Sequence, residues 1–339
     1  MTALQHLPDP TKALTLPIIR LRPWLNSKEF KKGIQRIHDA VGARPFGFDL
    51  DRDRIGHRSS ASFQEFEALF DGSDGHENYY SAVDESGSGI PILRSDGSNI
   101  ASLRAELDRV RNLERGLFVR VDVSGSQPIR VIAEECLSQN LENVVFILDC
   151  GWHSSLLIYQ AKCVALLRML LSKSNQFELV VAGGDFPADG FADKGQHFGI
   201  DGEERLLVEA VRREINEAEI IFGDWGSTRL PSTDNEIRRG GRPRIDMPTR
   251  QGWECWRKAA PGKSFDEPAI AAATARGLGG SSGLWGEQMI IATRDGQEPF
   301  IKGPGTASAA RINLHMVLQA HYDEGAGPKL GDELVVNEL

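Results

Sequence analysis

Leu117-Phe118-Val119-Arg120-Val121-Asp122-Val123 carries two messages in seven residues. Side chains of a strand alternate between its faces. One face therefore holds Leu117, Val119, Val121 and Val123, which suits packing under helices. The other holds Phe118, Arg120 and Asp122, which turns charge toward the inside of a sheet. Helical periodicity flanks the segment on both sides, over Ile100–Glu114 and Pro128–Asn140. The next strand, Val144–Asp149, repeats the split, with Phe146 and Leu148 opposite Asp149. Extended outward, the reading predicts further strands over Pro17–Arg22, Pro45–Asp51, Ile90–Arg94, Leu179–Asp185, Ile220–Asp224 and Arg242–Met247. Further helices are predicted over Ser27–Val41, Ser62–Phe70, His153–Ser172 and Glu203–Asn216. About eight strands alternating with helices fit an α/β chain folded as a (β/α)8, TIM-like barrel. A doubly wound open sheet is the alternative.

The charged strand residues fall late in their strands, at the end where barrel enzymes keep their sites. The candidates for binding a ligand are Arg20, Arg22, Asp49, Arg94, Arg120, Asp122, Asp185, Trp225 and Arg244, with Asp149 and Asp224 as candidate catalytic groups. Buried charges cost several kcal/mol each unless paired. Two readings stay open: a structural Arg–Asp network, or a site whose arginines clamp anionic oxygens while the aspartates hold a metal, a water or a ribose hydroxyl. The ligand of the second reading is a phosphorylated small molecule or nucleotide, and phosphoester hydrolysis is its reaction class.

The composition, 40% hydrophobic and 26% charged over 339 residues, excludes wholesale disorder and fibrous architecture. With 48 acidic and 39 basic residues the net charge is −9, which argues against binding of bulk double-stranded DNA but leaves room for a local basic pocket. Residues 1–17 lack a basic start followed by an apolar run, so no secretory leader is expected. The most apolar helical segment, Tyr159–Leu171, is broken by Lys162 and Arg168, so no membrane span is expected and the cytoplasm is the expected location. Cys136, Cys150, Cys163 and Cys255 show no CxxC spacing and read as buried reduced thiols, with a zinc site or a disulfide pair as the alternative.

The domain reading is an N-terminal arm over residues 1–15, the barrel over 16–250, an extension packing on it over 251–325, and a tail over 326–339. Asp71–Gly89 reads as a long loop, and Phe186–Gly202 and Gly226–Gly241 as loops at the barrel mouth. In the extension, Trp253–Lys258 reads as a hairpin partner, followed by helices near Pro268–Arg276 and Thr306–Tyr322. On the last helix Ile312, Met316 and Gln319 fall near one stripe, flanked by Asn313 and His315.

Several motifs carry less than they promise. Gly279-Gly280-Ser281-Ser282-Gly283 has the nucleophile-elbow pattern, but helix precedes it where a strand is needed. Gly262-Lys263-Ser264 ends like a phosphate loop, yet Arg257 occupies the first glycine position. Asp49-Leu50-Asp51 offers two carboxylates on one face, suited to a divalent metal, beside Arg52 and Arg54. Asp149 with His153 could form an acid–base pair, and Arg238, Arg239, Arg242 and Arg244 could meet phosphates or lie in a solvated loop.

The order of short motifs carries a resemblance. It runs from Pro17-Ile18-Ile19-Arg20-Leu21-Arg22 through Asp149, Gly223-Asp224-Trp225 and Arg244-Ile245 to Trp253-Glu254-Cys255-Trp256-Arg257. It closes with Leu284-Trp285-Gly286-Glu287 and Asn313-Leu314-His315. Over residues 16–322 the chain resembles the phage "beta protein" family of phage and bacterial genomes. It departs from that pattern at Trp225, where a tyrosine is expected, and near Asn313, where a doubled histidine is expected. The resemblance implies a role in phage–host conflict, defence or anti-defence, and brings no reaction with it. The segment with Asn313 and His315 has two readings: a closing helix whose polar residues are solvated or cap a neighbouring loop, or a segment folded back so that His315 reaches the mouth near Asp224 and Trp225. In the second, to which the resemblance adds weight, His315 joins Asp149 and Asp224 as a catalytic group and Asn313 orients a ligand oxygen. The competing function is a non-catalytic subunit bound to the product of a neighbouring gene, with a structural charged face.

Overall fold

The computed structural model describes residues 1–22, 29–51, 61–151, 155–184, 186, 194–228, 242–279 and 283–324. Asp185, His153, Ser281, Arg238 and Arg239 lie outside them. The strands are β1 (Ile18–Leu21), β2 (Phe46–Leu50), β3 (Gly89–Pro91), β4 (Leu117–Asp122) and β5 (Val144–Asp149), followed by β6 (Glu178–Gly183), β7 (His197–Asp201), β8 (Ile220–Asp224), β9 (Arg244–Thr249) and β10 (Gly252–Arg257). Helices are interleaved among them, so the chain is a mixed α/β protein. It divides into two compact units. The first comprises Leu16–Gly184 and Glu204–Trp225; the second comprises Met1–Thr15, Asp185–Glu203 and Gly226–Leu339.

The first unit holds two parallel sheets, β1-β2-β3 and β4-β5-β6-β8. A parallel bridge between Ile92 and Phe118 links them, and Leu93 N–H donates to Phe118 O at 2.8 Å. The strands thus follow one another without the reversal of order that marks a doubly wound sheet. Each of the eight expected strand positions carries a strand: seven lie in these parallel sheets, whereas the eighth, expected over Arg242–Met247, lies in the antiparallel sheet of the second unit. The alternation read from β4 holds: Val119, Val121, Phe146 and Leu148 are buried on the helix side. The opposite face begins with an apolar layer of Phe118, Ile147, Ala182 and Ile92. Gly47 belongs to this layer because nothing larger fits: a Cβ there would lie 2.8 Å from Ile18 Cγ1 and 3.1 Å from Phe118 Cε2.

The helices start and stop where local chemistry dictates. Asn99 caps the Ile100–Leu113 helix, its Oδ1 accepting from Ala101 N at 3.1 Å and Ser102 N at 3.2 Å. Gly42, at φ 71°, ends the Lys31–Val41 helix in a conformation that favours glycine. One expected loop is corrected. Asp71–Gly89 contains a helix, Glu77–Glu85, because Tyr79, Tyr80 and Val83 bury one side of it.

In the second unit β9 and β10 form the expected antiparallel hairpin, with β7 on the far side of β10. β7 corrects the reading of Phe186–Gly202 as loop alone. Helices Asp266–Ala275, Trp285–Asp295 and Pro304–Ala320 bury Ile245, Met247 and Trp256 in one apolar core. No described helix is long and apolar enough to cross a membrane.

Candidate functional site

The charged ends of β1, β2, β4 and β5 converge in the first unit. Arg20 and Asp49 are register partners across β1 and β2. Arg20 Nη2 donates to Asp51 Oδ1 at 3.0 Å, and Arg22 Nη1 lies 4.0 Å from Asp51 Oδ2. Arg120 bridges two strands: Nη1 donates to Asp49 Oδ2 at 2.8 Å and Nε to Asp149 Oδ2 at 2.7 Å. Burial works against the Arg120 charge, but Asp149 and Asp49 outweigh it and raise the guanidinium above its ordinary pKa. Trp225, directly after β8, completes the group. Its Nε1 donates to Asp149 Oδ1 at 3.0 Å, and the guanidiniums of Arg20 and Arg120 lie 5.7 and 5.0 Å from its ring centroid. Asp149 Oδ1 accepts a further bond from Gly151 N–H at 2.9 Å, so three donors hold this carboxylate.

Arg94 enters from the segment after β3. Its Nη1 lies 3.8 Å from Asp49 Oδ1, and its guanidinium lies 5.4 Å from the centroids of both Phe70 and Tyr79. The side chain is buried, yet among the described residues its Nε has no hydrogen-bond partner, and neither has Arg20 Nε. Glu106 sets the position of this segment. Its oxygens accept from Arg94 N, from Ser95 N at 2.8 Å and from the Tyr80 hydroxyl at 2.8 Å. Burial raises the Glu106 carboxyl, against the pull of those bonds. Tyr79 adds a second tie by donating to Phe48 O at 2.6 Å and accepting from Ile92 N at 2.8 Å.

Sequence reasoning named Asp51 only as a metal-ligand candidate beside Asp49, and missed Glu106, Tyr79 and Phe70 as supports of the site. Glu106 had a legible signal, since it shares the buried helical stripe with Leu103, Leu107 and Val110. Asp49 and Asp51 do share a face, as expected for a metal pair. Their surroundings are guanidiniums, which suit an anion rather than a cation.

Two expected members stand elsewhere. Asp122 is exposed and caps a turn, its Oδ1 accepting from Ser124 N at 2.8 Å. Asp224 takes the other face of the sheet. Register pairs Asp149 with Ala182 and Ala182 with Gly223, so Gly223 shares the Asp149 face and Asp224 does not. A Cβ at Gly223 would meet Val180 Cγ1 at 2.9 Å, in keeping with that face. Asp224 instead follows Ile220 and Phe222, and the Arg205 guanidinium of the Glu204–Glu214 helix lies 3.6 Å from the Phe222 centroid.

Arg244, Asn313 and His315 belong to the second unit. Arg244 Nη2 donates to Asp246 Oδ2 at 3.0 Å, Arg244 Nε pairs with Asp246 Oδ1, and Arg311 Nη1 donates to Asp246 Oδ2 at 3.2 Å. Burial alone would raise the Asp246 carboxyl; Arg244 and Arg311 reverse the sign and hold it below the usual range. Arg311 also donates to Ser227 O at 3.1 Å, and its guanidinium lies 3.9 Å from the Phe186 centroid. His315 stacks on Trp253 at 4.9 Å. Asn313 Oδ1 accepts from Gly286 N at 3.1 Å and its Nδ2 donates to Ala3 O at 3.1 Å, so the amide is spent on holding helix ends. The stripe expected on this helix is corrected. Ala310, Arg311, Asn313, Leu314, His315 and Val317 are buried, while Ile312 and Met316 are only partly so.

No curated protein matches the chain. A family profile described as "Beta protein" matches residues 1–321. That span takes in both units and every described member of the strand-end cluster, and the chain belongs to the Beta protein family.

Proposed function

We propose that the strand-end cluster of the first unit binds an anionic small molecule, a phosphorylated metabolite or nucleotide. One observation carries the reading. Arg20, Arg22, Arg94 and Arg120 contact three carboxylates, Asp49, Asp51 and Asp149, and the buried Nε groups of Arg94 and of Arg20, the latter 3.8 Å from Asp49 Oδ2, make no hydrogen bond among the described residues. A buried donor without an acceptor costs about 1–3 kcal/mol, which an oxyanion in reach would recover. The test is calorimetric titration of wild-type protein and Arg94→Met with inorganic phosphate, pyrophosphate and a nucleoside mono- and triphosphate. At least one should bind, and Arg94→Met should weaken it about tenfold or more. Absence of binding by all four, or equal affinity in the variant, refutes the reading. Mass spectrometry of small molecules and metals released from the purified protein identifies a retained ligand directly.

The finer form of the proposal is hydrolysis of a bound phosphoester in a cytoplasmic enzyme. Asp149, held by three donors, positions Arg120 and Trp225 in it. Arg120→Lys should then lower turnover of a phosphoester as well as its binding. The unreversed strand order supports closure of the parallel sheet into a (β/α)8 barrel; a crystal structure with an open sheet edge would remove that part. Family membership supports a role in phage–host conflict, tested by plating phage on cells carrying wild-type or Arg94→Met protein.

A second reading, a subunit of a complex with a neighbouring gene product, is favoured by Leu157 and Ile158. Both are exposed at the start of the Leu156–Leu171 helix, at 74% and 56%.

A further inference from the structure

Cys150 and Cys163 bring their sulfurs to 3.5 Å of each other. The contact follows from the packing of strand end on helix. Cys150 continues the helix-facing row of Leu148 just beyond β5, and its N–H donates to Ala182 O at 2.8 Å, which fixes its backbone to β6. Cys163 lies on the buried stripe of the Leu156–Leu171 helix with Val164, Leu167 and Leu170. Cys136 sits on a different helix, and Cys255 lies in β10 of the other unit. All four thiols are free and buried.

We propose that Cys150 and Cys163 are a modification site: a dithiol that a peroxide-class oxidant converts into an intramolecular disulfide. The sulfurs need to close from 3.5 Å to about 2.05 Å, a movement within reach of side-chain rotation and a small helix shift. The chemistry balances. Cys150, 4% exposed as a residue where Cys163 is fully buried, is the one whose sulfur attacks a peroxide oxygen. The O–O bond breaks, Cys150 becomes a sulfenic acid and one water leaves. The Cys163 sulfur then displaces the sulfenic hydroxyl, the S–S bond forms, and a second water leaves. Two electrons pass from the two sulfurs to the peroxide, and both thiol protons end in water. The hydrogen bond with Cys163, and then burial, keep Cys150 in its thiol form, so the reaction is slower than at an exposed thiolate. The site therefore records sustained oxidant exposure rather than brief contact.

The experiment treats the purified full-length protein with hydrogen peroxide, alkylates remaining thiols in denaturant, and maps peptides by mass spectrometry with and without dithiothreitol. Cys150 and Cys163 should disappear from the alkylated pool together, reappear after reduction, and yield one linked peptide lighter by two hydrogens. Cys136 and Cys255 should stay alkylated. Cys163→Ser should give no linked peptide, and Cys163→Ala provides a second variant with the same expectation; wild type alone suffices if neither folds. The proposal is overturned if both thiols remain alkylatable at a dose that converts the protein's methionines to sulfoxides. It is equally overturned if they are consumed as separate sulfinic acids or as links between molecules.

Discussion

Each unit places an aspartate between arginines that lie over aromatic rings, yet the two clusters do different work. In the second unit Asp246 is shared by Arg244 and Arg311 against Phe186, and every partner is enclosed: Asp246 is 7% exposed and Arg311 6%. In the first unit enclosure is graded. Arg94 is 6% exposed at the inner end and Arg22 57% at the outer end, with Arg20 and Arg120 between them. A sealed ion cluster has nothing to exchange with solvent, and its charges serve packing and orientation. A graded one can trade water for a ligand on its open side while its closed side stays fixed. Residue types alone do not separate the two cases; the gradient does.

The sharpest way to break this contrast is Asp246→Asn, which strips the charge that two buried guanidiniums share. Removing one partner of a buried pair costs about 3–5 kcal/mol, and urea unfolding should show a loss of that size. A loss below about 1 kcal/mol would mean that the second cluster is not sealed after all. Next in size is Arg120→Lys. A compact ammonium cannot span Asp49 and Asp149 as the guanidinium does, so stability should fall by about 1–2 kcal/mol and phosphate binding should weaken with it. Unchanged phosphate affinity alongside that loss would make the first cluster structural as well.

The pH profile sharpens the comparison further because the two buried carboxyls have opposite signs. Asp246 is held low in the folded chain, so its contribution is complete above the unfolded carboxyl range, near 3.9, and drains away as pH falls below it. Glu106 is raised by burial, so its contribution is greatest in acid, below about 4.3, and declines as pH rises through its folded value. Urea midpoints collected from acid to neutral pH should lose their acid-side drop in Asp246→Asn and their rise-linked decline in Glu106→Gln. If the two variants flatten the same side of the profile, the assigned signs are wrong. The smallest expected effect is Leu157→Ser, an exposed change that should alter stability by no more than about 0.5 kcal/mol. Its use is diagnostic: under the subunit reading it removes a co-purifying protein, whereas phosphate binding stays as it was.

Much of the fold is legible because β2, β4 and β5 alternate large apolar residues with charges, and a period of two leaves little freedom in assigning faces. β7 escapes because His197-Phe198-Gly199-Ile200-Asp201 offers only two apolar side chains and sits in a polar, glycine-containing region. The Glu77–Glu85 helix escapes because Gly, Ser and Asp crowd its flanks. Asp224 is read onto the wrong face for a related reason. Gly223 has no side chain to report its orientation, and only the ladder register shows that it, rather than Asp224, shares the Asp149 face. Arg20, Arg22, Asp49, Arg94, Arg120, Asp149 and Trp225 stand out in the sequence because they fall at or just past the ends of apolar strands. A charge placed there is costly to bury and so signals a partner or a ligand. The last helix misleads because Arg311, Asn313 and His315 are polar yet buried. Hydrophobic patterning places such residues outside, whereas specific partners bring them in.

The first fifteen residues have a consequence for how the molecule is made. His6 stacks on Trp285 at 4.7 Å, Ala3 O accepts from Asn313, and Thr11 Oγ1 bonds His321 Nε2 at 3.1 Å. The unit that contains them draws on three separated stretches of chain, while the other unit has all its strands and helices by Trp225. During vectorial synthesis, where completed units fold as they emerge, residues 1–15 leave the ribosome long before the segments that they pair with. They wait for Trp285, Asn313 and His321 until the roughly 270 residues in between have been translated.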